Sequence, residues 1–196
     1  MAIAKKKKKF FDVDMPLINK QTQLWAMDIS ELENKYIKYD LTRILRGKSI
    51  LLQLKVQVED GKATSTPTEI KLMPYYLRRM MRKGTDYIED SFSAECKDAV
   101  LLIKPFLITR RRVSKAVRKA LREKAKEELI NELKKLKKDQ VFEDILKNKM
   151  QKELSLKLKK IYPLSLCEVR TLKVQKVLEP SEKKKETKKE SAEKEE

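Results

Sequence analysis

Residues 110–122 combine an apolar repeat of helical spacing with a dense run of positive charge. Apolar residues that recur every four positions give a helix one face able to pack against a core; they are Val113, Val117, Leu121, Ala125, Leu129 and Leu133. Basic residues are left on the other face, namely Arg111, Arg112, Lys115, Arg118, Lys119 and Arg122. We therefore predict a long helix from about Val113 to Lys138, with the arginine triplet leading into it. Its basic face suits a polyanion with spaced phosphates, although a solvated charged face would leave the same pattern.

The net charge indicates a polyanionic partner. A formal charge of +18 over 196 residues is larger than solubility alone requires, and it points to nucleic acid or an anionic membrane surface. The sequence has no apolar run of the roughly 18 residues that a membrane-spanning helix needs. No hydrophobic stretch follows the N-terminal lysines, as it would in a secretory signal. We expect a soluble, intracellular chain.

Several residue types on which enzymes depend are scarce or missing. The chain has no histidine, the commonest general base and metal ligand. Cys96 and Cys167 are far apart in apolar runs, so we expect two buried, inert thiols. The three glycines, Gly47, Gly61 and Gly84, form no phosphate-binding loop. These absences predict no enzymatic activity, no small-molecule substrate and no resident cofactor or metal.

In the middle of the chain, a strand pattern precedes a short helix. Residues 50–58 alternate between apolar and polar, Gly61 marks a turn, and residues 64–73 return as a second strand. Pro74 then begins a short helix that we expect to continue until Gly84 stops it. Its predicted inward face consists of Tyr76, Leu77, Met80 and Met81.

A second hairpin and two long helices follow. Residues 87–96 and 99–108 are predicted as paired strands, and Pro105 indicates an edge strand or a bulge. After the basic helix, Asp139 can cap another helix that ends before Pro163, and residues 164–178 form a last strand. This second long helix repeats apolar residues every four positions: Phe142, Leu146, Met150, Leu154 and Leu158. The expected class is α+β, with a largely antiparallel sheet flanked by a short basic helix and two long helices.

The two ends of the chain differ from the rest in composition. Residues 1–9 form a basic arm that we expect to stay disordered until its charge is neutralised, as arms that enter folded RNA do; a solubilising or targeting tail is the alternative. Residues 179–196 mix Glu and Lys with Ser and Pro, which predicts a disordered tail. Residues 10–178 are then expected to form a single α+β domain that binds RNA.

One acidic cluster, Asp86, Glu89 and Asp90, interrupts the basic sequence of the predicted domain. These carboxylates either balance nearby positive charge or hold a structural magnesium ion shared with phosphate, and both interpretations stay open. Acid–base catalysis would need one carboxylate in a desolvated setting. The polar neighbours of these three carboxylates argue against desolvation and therefore against a catalytic role.

Three aromatic residues, Phe10, Phe11 and Trp25, are candidates for stacking on unpaired bases. Packing in the core is the alternative for each of them. Phe10 and Phe11 adjoin the lysine run, and they are the better placed of the three to touch nucleic acid.

Short motifs follow one another in a fixed order between residues 5 and 178. The lysine run is followed by Phe10-Phe11-Asp12 and Pro16, residues 77–83 form a basic helical segment, and residues 161–164 read Ile-Tyr-Pro-Leu before Glu-Val-Arg at 168–170. In this order the motifs resemble the S3Ae family of archaeal and eukaryotic small-subunit ribosomal proteins, also called the eukaryote-type S-one family. Two positions depart from its pattern. Residues 96–100 replace a usual Thr-x-Asp-Gly-Tyr hairpin, and Phe10 stands where tryptophan is usual.

The resemblance implies a β-barrel-like sheet flanked by helices and a structural role without catalysis. It also implies a place on the platform of the small ribosomal subunit, near the messenger exit and the 3′ end of its RNA. The implied partners are small-subunit rRNA, neighbouring small-subunit proteins and the mRNA near the exit. The implied location is cytoplasmic and ribosome-bound.

The residues predicted to bind RNA are the basic side chains of the arm, the short helix and the long helix. They are Lys5, Lys6, Lys7, Lys8, Lys9, Arg78, Arg79, Arg82, Lys83, Arg110, Arg111, Arg112, Lys115, Arg118, Lys119 and Arg122. Two other classes share this charge. One is a free-standing nucleic-acid chaperone or chromatin protein. The other is a peripheral membrane protein anchored by residues 110–136, whose Val- and Ala-rich face is a weak interfacial set.

Overall fold

The computed structural model describes residues 7–45, 47–59 and 61–178. The chain divides into two compact units, Met1–Lys71 and Leu72–Glu196, which are taken separately below. Lys5, Lys6 and the predicted C-terminal tail lie outside the described residues. The expected boundaries of the arm, the domain and the tail therefore stay predictions.

The first unit is built mainly from β-strands. In the part that the structure describes, they are β1 (Lys9–Met15), β2 (Lys20–Ala26), β3 (Tyr36–Asp40), β4 (Ile50–Glu59) and β5 (Lys62–Leu72), with a 3-10 turn at Ile29–Leu32. The strand order is β2-β1-β5-β4-β3. β1 with β2 and β3 with β4 are antiparallel, whereas β1 runs parallel to β5.

The predicted hairpin of the first unit is confirmed as β4 and β5. Ile50, Leu52, Leu54 and Val56 are at most 1% exposed, as the alternation requires. Gly61 takes a φ of +74° in the turn, a conformation that suits glycine. The sequence analysis placed no strands before residue 50. β1, β2 and β3 were missed because each carries an exposed aromatic residue beside an apolar neighbour, which weakens the alternation of apolar and polar residues. These aromatic residues are Phe10, Trp25 and Tyr36.

The barrel-like expectation is not confirmed, because the sheet is open. Among the described residues, the strand pairing of the first unit ends at β2 on one side and at β3 on the other. A side-chain contact connects these two strands: Lys20 Nζ donates to Tyr39 Oη at 3.4 Å. Closure of a barrel needs a backbone ladder, which one lysine–tyrosine contact does not supply.

The second unit packs helices with an antiparallel sheet. Its described elements are α1 (Pro74–Met80), β6 (Tyr87–Glu89), β7 (Phe92–Glu95), β8 (Ala99–Thr109), α2 (Lys115–Leu133), α3 (Lys138–Leu146), α4 (Lys149–Leu158) and β9 (Leu164–Val177). β8 pairs with β6, β7 and β9, all antiparallel. α2 packs against β6, β7 and α4, and α4 also packs against β9. The mixed α and β content and the largely antiparallel pairing are as predicted.

Pro105 lies at a bulge inside β8, and the edge-strand alternative is wrong. The pairing register with β9 shifts between Lys104 and Pro105. On the other side, β6 ends at Glu89 and β7 begins at Phe92, so the gap between them falls opposite this point. The missing N–H of proline is tolerated in a central strand because the ladder is irregular on both sides. For the same reason, the predicted single strand over residues 87–96 is two short strands.

The predicted helix limits need correction. α1 ends at Met80, because Met81 is already extended and 39% exposed instead of facing inward. α2 begins at Lys115 and ends at Leu133, so Val113 precedes it and the helix stops short of Lys138.

The second long helix is in fact two helices. Asn148 takes a left-handed φ of 58° between α3 and α4, which a continuous helix does not allow. Gln151 Nε2 donates to the Ile145 carbonyl at 2.9 Å, so a carbonyl near the break finds a partner. Leu146 is consequently only half-buried, while Val141 and Ile145 fill the core.

Candidate nucleic-acid interface

Thr109, at the end of β8, fixes the loop that carries the arginine triplet. Its side chain is fully buried, and its Oγ1 lies 2.7 Å from the Arg111 carbonyl. The same oxygen accepts from the Asp86 N–H at 3.1 Å, and the Thr109 N–H donates to the Asp86 carbonyl at 2.9 Å. Asp86 Oδ2 in turn accepts from the Val113 N–H at 2.9 Å. We call these contacts the Thr109–Asp86 clamp.

The Thr109–Asp86 clamp holds the backbone of residues 110–113 at both of its ends. Arg110, Arg111 and Arg112 are all exposed, so their side chains extend from a fixed backbone into solvent. A fixed backbone lowers the entropy that is lost when such side chains bind a ligand. The triplet was expected to lead into a helix that begins near Val113. Its residues form a bend before α2, because the clamp imposes a non-helical path.

The acidic cluster is occupied by hydrogen bonds and an ion pair within the protein. Asp86 belongs to the clamp, Asp90 Oδ1 accepts from the Ser91 N–H at 2.9 Å, and Glu89 Oε2 lies 2.9 Å from Arg170 Nη1. Among the residues that the structure describes, no three acidic or cysteine side chains are grouped in a way that could hold a metal ion. These contacts favour the charge-balancing interpretation over the magnesium one.

The first two turns of α2 continue the positive surface. Ser114 caps the helix by accepting from the Val117 N–H at 3.4 Å. Lys115, Lys119 and Arg122 are exposed. Arg118 is only half-buried and its Nε is buried without an acceptor, so less of its guanidinium is open to a phosphate than the sequence pattern suggested.

In the second half of α2, unlike the first two turns, the lysines and glutamates form a network of ion pairs. Lys124 lies 3.3 Å from both Glu127 and Glu128. Lys157 of α4 lies 3.0 Å from Glu128 and 2.7 Å from Glu132. The hydrogen bond from Lys157, reinforced by Lys124, holds the pKa of the Glu128 carboxyl below its usual value. Along α2 and the loop before it, the positive charge is therefore least compensated in residues 110–122, which hold seven basic residues and no acidic residue. One of the seven, Lys119, pairs with Glu123 at 3.7 Å.

The location of this charge opposes the helix dipole. The N-terminus of a helix carries a partial positive charge, and cations there are unfavourable. Lys115, Arg118 and Lys119 nevertheless occupy the first two turns of α2. Residues that violate a local rule are expected at functional sites. A bound polyanion would remove the repulsion.

A second basic group surrounds α1. Arg78 and Arg79 lie in the last turn of α1, where the dipole favours cations, and Arg82 and Lys83 follow it; all four are exposed. The Arg79 guanidinium lies 5.5 Å from the centre of the Tyr76 ring. Burial raises the pKa of the Tyr76 phenol, Glu168 adds to this effect and Arg79 opposes it. The ring is therefore neutral at physiological pH.

A third basic group belongs to the first unit. Lys7, Lys8 and Lys9 are exposed, and Lys9 begins β1 instead of belonging to the arm. Phe10 and Trp25 stack on each other across β1 and β2, with ring centres 6.1 Å apart. Phe11 points the other way and is half-buried. Base stacking by Phe10, Phe11 or Trp25 stays a prediction. Of these three residues, Phe10 and Trp25 are exposed together, whereas Phe11 lies on the opposite face of β1.

Some functional roles had no clear signal in the sequence. Thr109 and Asp86 are 23 residues apart, and only the pairing of β6 with β8 brings them together. Trp25 is paired with Phe10 by the register of β1 and β2, two strands that the sequence analysis did not identify. The sequence indicated the clamp only through Asp86, which precedes the arginine run by one predicted hairpin.

One of the predicted thiols is less buried than expected. Cys96 is buried, and its Sγ lies 2.9 Å from the Ala99 carbonyl oxygen. Cys167, on β9, is only half-buried. Within the described ranges, the helices include none long and apolar enough to cross a membrane.

Comparison with known proteins identifies similar sequences. The sequence model of the Ribosomal S3Ae family matches residues 4–177. A small ribosomal subunit protein eS1 of Pyrobaculum aerophilum is 29% identical over 138 residues, which are 69% of this chain and 62% of that protein. The eS1 protein of Nanoarchaeum equitans is 31% identical over 66% of this chain and 64% of its own length. That of Saccharolobus islandicus is 24% identical over 89% of this chain and 88% of its own.

Proposed function

Because the chain belongs to the ribosomal S3Ae family, we propose that it is a structural, non-enzymatic constituent of the small ribosomal subunit that binds small-subunit rRNA. The family match covers residues 4–177, which span both units of the chain and include every basic residue predicted to bind RNA. Neighbouring small-subunit proteins are its further partners, and the ribosome in the cytoplasm is its location.

The observation that carries this proposal is the Thr109–Asp86 clamp with the arginine triplet that it fixes. A clamp made of a fully buried threonine and a carboxylate holds three consecutive exposed arginines on one short loop. Holding like charges together is unfavourable unless a partner neutralises them. Arginine can pair two phosphate oxygens with its planar guanidinium, so a folded RNA backbone is a suitable partner.

The three basic groups have a common mode of action. Arg110 to Arg112 and the first turns of α2, the cations around α1, and Lys7 to Lys9 all contact phosphates and do not read base sequence. Lys5 and Lys6 extend the third group. RNA shape then selects the binding site, because sequence-independent contacts are specific only when several phosphates stand in the right places.

A finer location follows from the family resemblance alone. The proposal places the chain on the platform of the small subunit, near the messenger exit and the 3′ end of its RNA. The mRNA near the exit is then a further contact. This location requires that the described basic groups face rRNA in the assembled subunit.

Cosedimentation tests the proposal directly. The native protein should sediment with small ribosomal subunits at ordinary salt and be released only at high salt. Its absence from purified subunits at ordinary salt would contradict the proposal. Sedimentation with free nucleic acid would support the chaperone or chromatin class, and sedimentation with anionic vesicles the membrane class.

A further inference from the structure

Phe10 and Trp25 form an exposed aromatic pair on one face of the β1–β2 hairpin. The two residues are direct partners in the antiparallel register, and their rings are stacked with an interplanar angle of 16°. Phe10 is 68% exposed and Trp25 is 61% exposed, although each already contacts the other. Aromatic rings of this size usually dominate a core or an interface, so a stacked pair left in water indicates a binding surface.

The surroundings of this aromatic pair are asymmetric in charge. The Lys8 Nζ lies 5.2 Å from the centre of the Trp25 ring, and Lys7 next to it in sequence is exposed. Lys9 is also exposed, but strand alternation places it on the opposite face of β1. On the same face, β-strand alternation places Asp12 on the other side of Phe10, opposite Gln23. The patch is therefore positive at the end where the chain enters β1 and acidic towards the middle of the hairpin.

We propose that the Phe10–Trp25 pair stacks on an unpaired base of single-stranded RNA, while Lys7 and Lys8 contact the adjoining phosphates. This inference rests on the proposed function and adds the class of RNA that this hairpin binds. Base–aromatic stacking combined with nearby cations is how proteins hold single strands. The acidic side chain of Asp12 limits the patch to about one or two bases and directs the phosphates towards the lysines.

The ring geometry also determines how the base binds. Insertion between two rings would need them roughly 7 Å apart, which is twice the rise of about 3.4 Å between stacked bases. The ring centres are 6.1 Å apart, and the separation of the two planes is no larger than that distance. The base therefore adds to an outer face of the pair. Lys8 moves from the Trp25 face to a phosphate as the base arrives.

Tryptophan fluorescence offers a selective test, because Trp25 is the only tryptophan of the chain. The full-length protein is titrated with a short single-stranded oligouridylate, with a duplex RNA of equal length, and with inorganic polyphosphate. We expect the single strand to quench the Trp25 emission, since a base stacks on the indole. The duplex and polyphosphate can draw Lys8 away from the indole but offer no unpaired base, so they should change the emission much less than the single strand does.

Variants separate stacking from charge. The Trp25 variants lack the only tryptophan, so their affinity is measured by the fluorescence anisotropy of a dye-labelled oligouridylate. Phe10→Ala and Trp25→Ala should each weaken its binding about five- to a hundredfold, with an unchanged salt slope, because stacking releases no counterions. Trp25→Phe should keep most of the affinity. Tyr36→Ala is the matched control, since Tyr36 is 58% exposed on β3 of the same unit. Circular dichroism verifies that each variant is folded.

Several outcomes would overturn this inference while leaving the proposed function intact. Equal quenching by polyphosphate would mean that the patch senses charge alone. Unchanged oligouridylate binding by Trp25→Ala, in a protein that still binds rRNA fragments, would mean that no base stacks there. Normal RNA binding with loss of a neighbouring ribosomal protein from the assembled subunit would identify a protein-docking patch. Failure of the proposed function would differ, because the wild-type protein would then bind no rRNA fragment.

Discussion

At the scale of single residues, the position of the arginine loop depends on the Thr109 hydroxyl and the Asp86 carboxylate. Neither residue is basic, yet their contacts fix the backbone that carries Arg110, Arg111 and Arg112. The arginines themselves could be identified from the sequence by type and number. Their fixed backbone could not, because the clamp joins residues that are 23 positions apart and depends on the pairing of two strands.

Replacing Thr109 with valine tests the clamp. Valine keeps the shape of the side chain but removes the hydroxyl, so the Asp86 N–H and the Arg111 carbonyl each lose a partner. We expect the free energy of unfolding to fall by about 1–3 kcal/mol, as for other buried groups left without a partner. Urea denaturation followed by circular dichroism measures this change.

The same variant should also bind rRNA fragments more weakly, because the arginine loop becomes mobile before binding. Thr171→Val, at a half-buried position on β9, is the matched control and should change neither property. If Thr109→Val lost stability but bound RNA as tightly as the wild type, the clamp would be structural and would not position the arginines.

At the scale of elements, the buried apolar residues of helix α2 lie on one face and its charged residues on the other. The two halves of the helix also differ in their ion pairs. Leu121, Ala125, Leu129 and Leu133 are at most 1% exposed, which confirms four of the six positions in the predicted apolar stripe. The first two positions of the stripe are only half-buried. The four-residue repeat was a reliable guide in the middle of the helix. It did not predict the limits of the helix, because the clamp and the turn after Leu133 decide where the helix begins and stops.

The buried face of α2 is tested by Leu121→Asp. Leu121 is fully buried, and an unpaired carboxylate at that position costs several kcal/mol. We expect this variant to lose cooperative thermal unfolding, as measured by circular dichroism. Leu156→Asp on α4 is the control, because Leu156 is 68% exposed and the same chemical change should leave the melting temperature nearly unchanged. Equal melting temperatures for both variants would show that the assigned face is wrong.

At the scale of the whole molecule, the formal charge of +18 is unevenly distributed. In the second half of α2, glutamates pair with Lys124 of the same helix and with Lys157 of α4, whereas residues 110–122 have no acidic residue. The sequence predicted the hairpin of β4 and β5, the central strand β8 and the last strand. β1 to β3 were missed because exposed aromatic residues interrupt their alternation of apolar and polar residues, and the break at Asn148 was missed because no glycine or proline marks it.

The type of basic side chain should matter as well as its charge. Changing Arg110, Arg111 and Arg112 together to lysine keeps the net charge, so the salt dependence of binding to an rRNA fragment should stay close to that of the wild type. The affinity should nevertheless fall, because lysine has no planar fork to pair two phosphate oxygens. Filter binding over a range of salt concentrations measures both quantities. An unchanged affinity would show that these arginines act as point charges only.

The most direct measurement of the central claim is the salt dependence of rRNA binding after Arg110, Arg111 and Arg112 are all changed to alanine. Each phosphate contact contributes about 0.9 to the slope of log K against log salt concentration, so the triple variant should lose up to roughly three units of slope. Its affinity should fall for fragments of any sequence, with an unaltered circular dichroism spectrum. The matched control changes Lys152, Lys159 and Lys160 to alanine, because these exposed lysines lie outside the proposed surface and remove the same charge. If the arginine variant binds as tightly as the wild type with the same slope, the triplet is a solvated surface and the account is wrong.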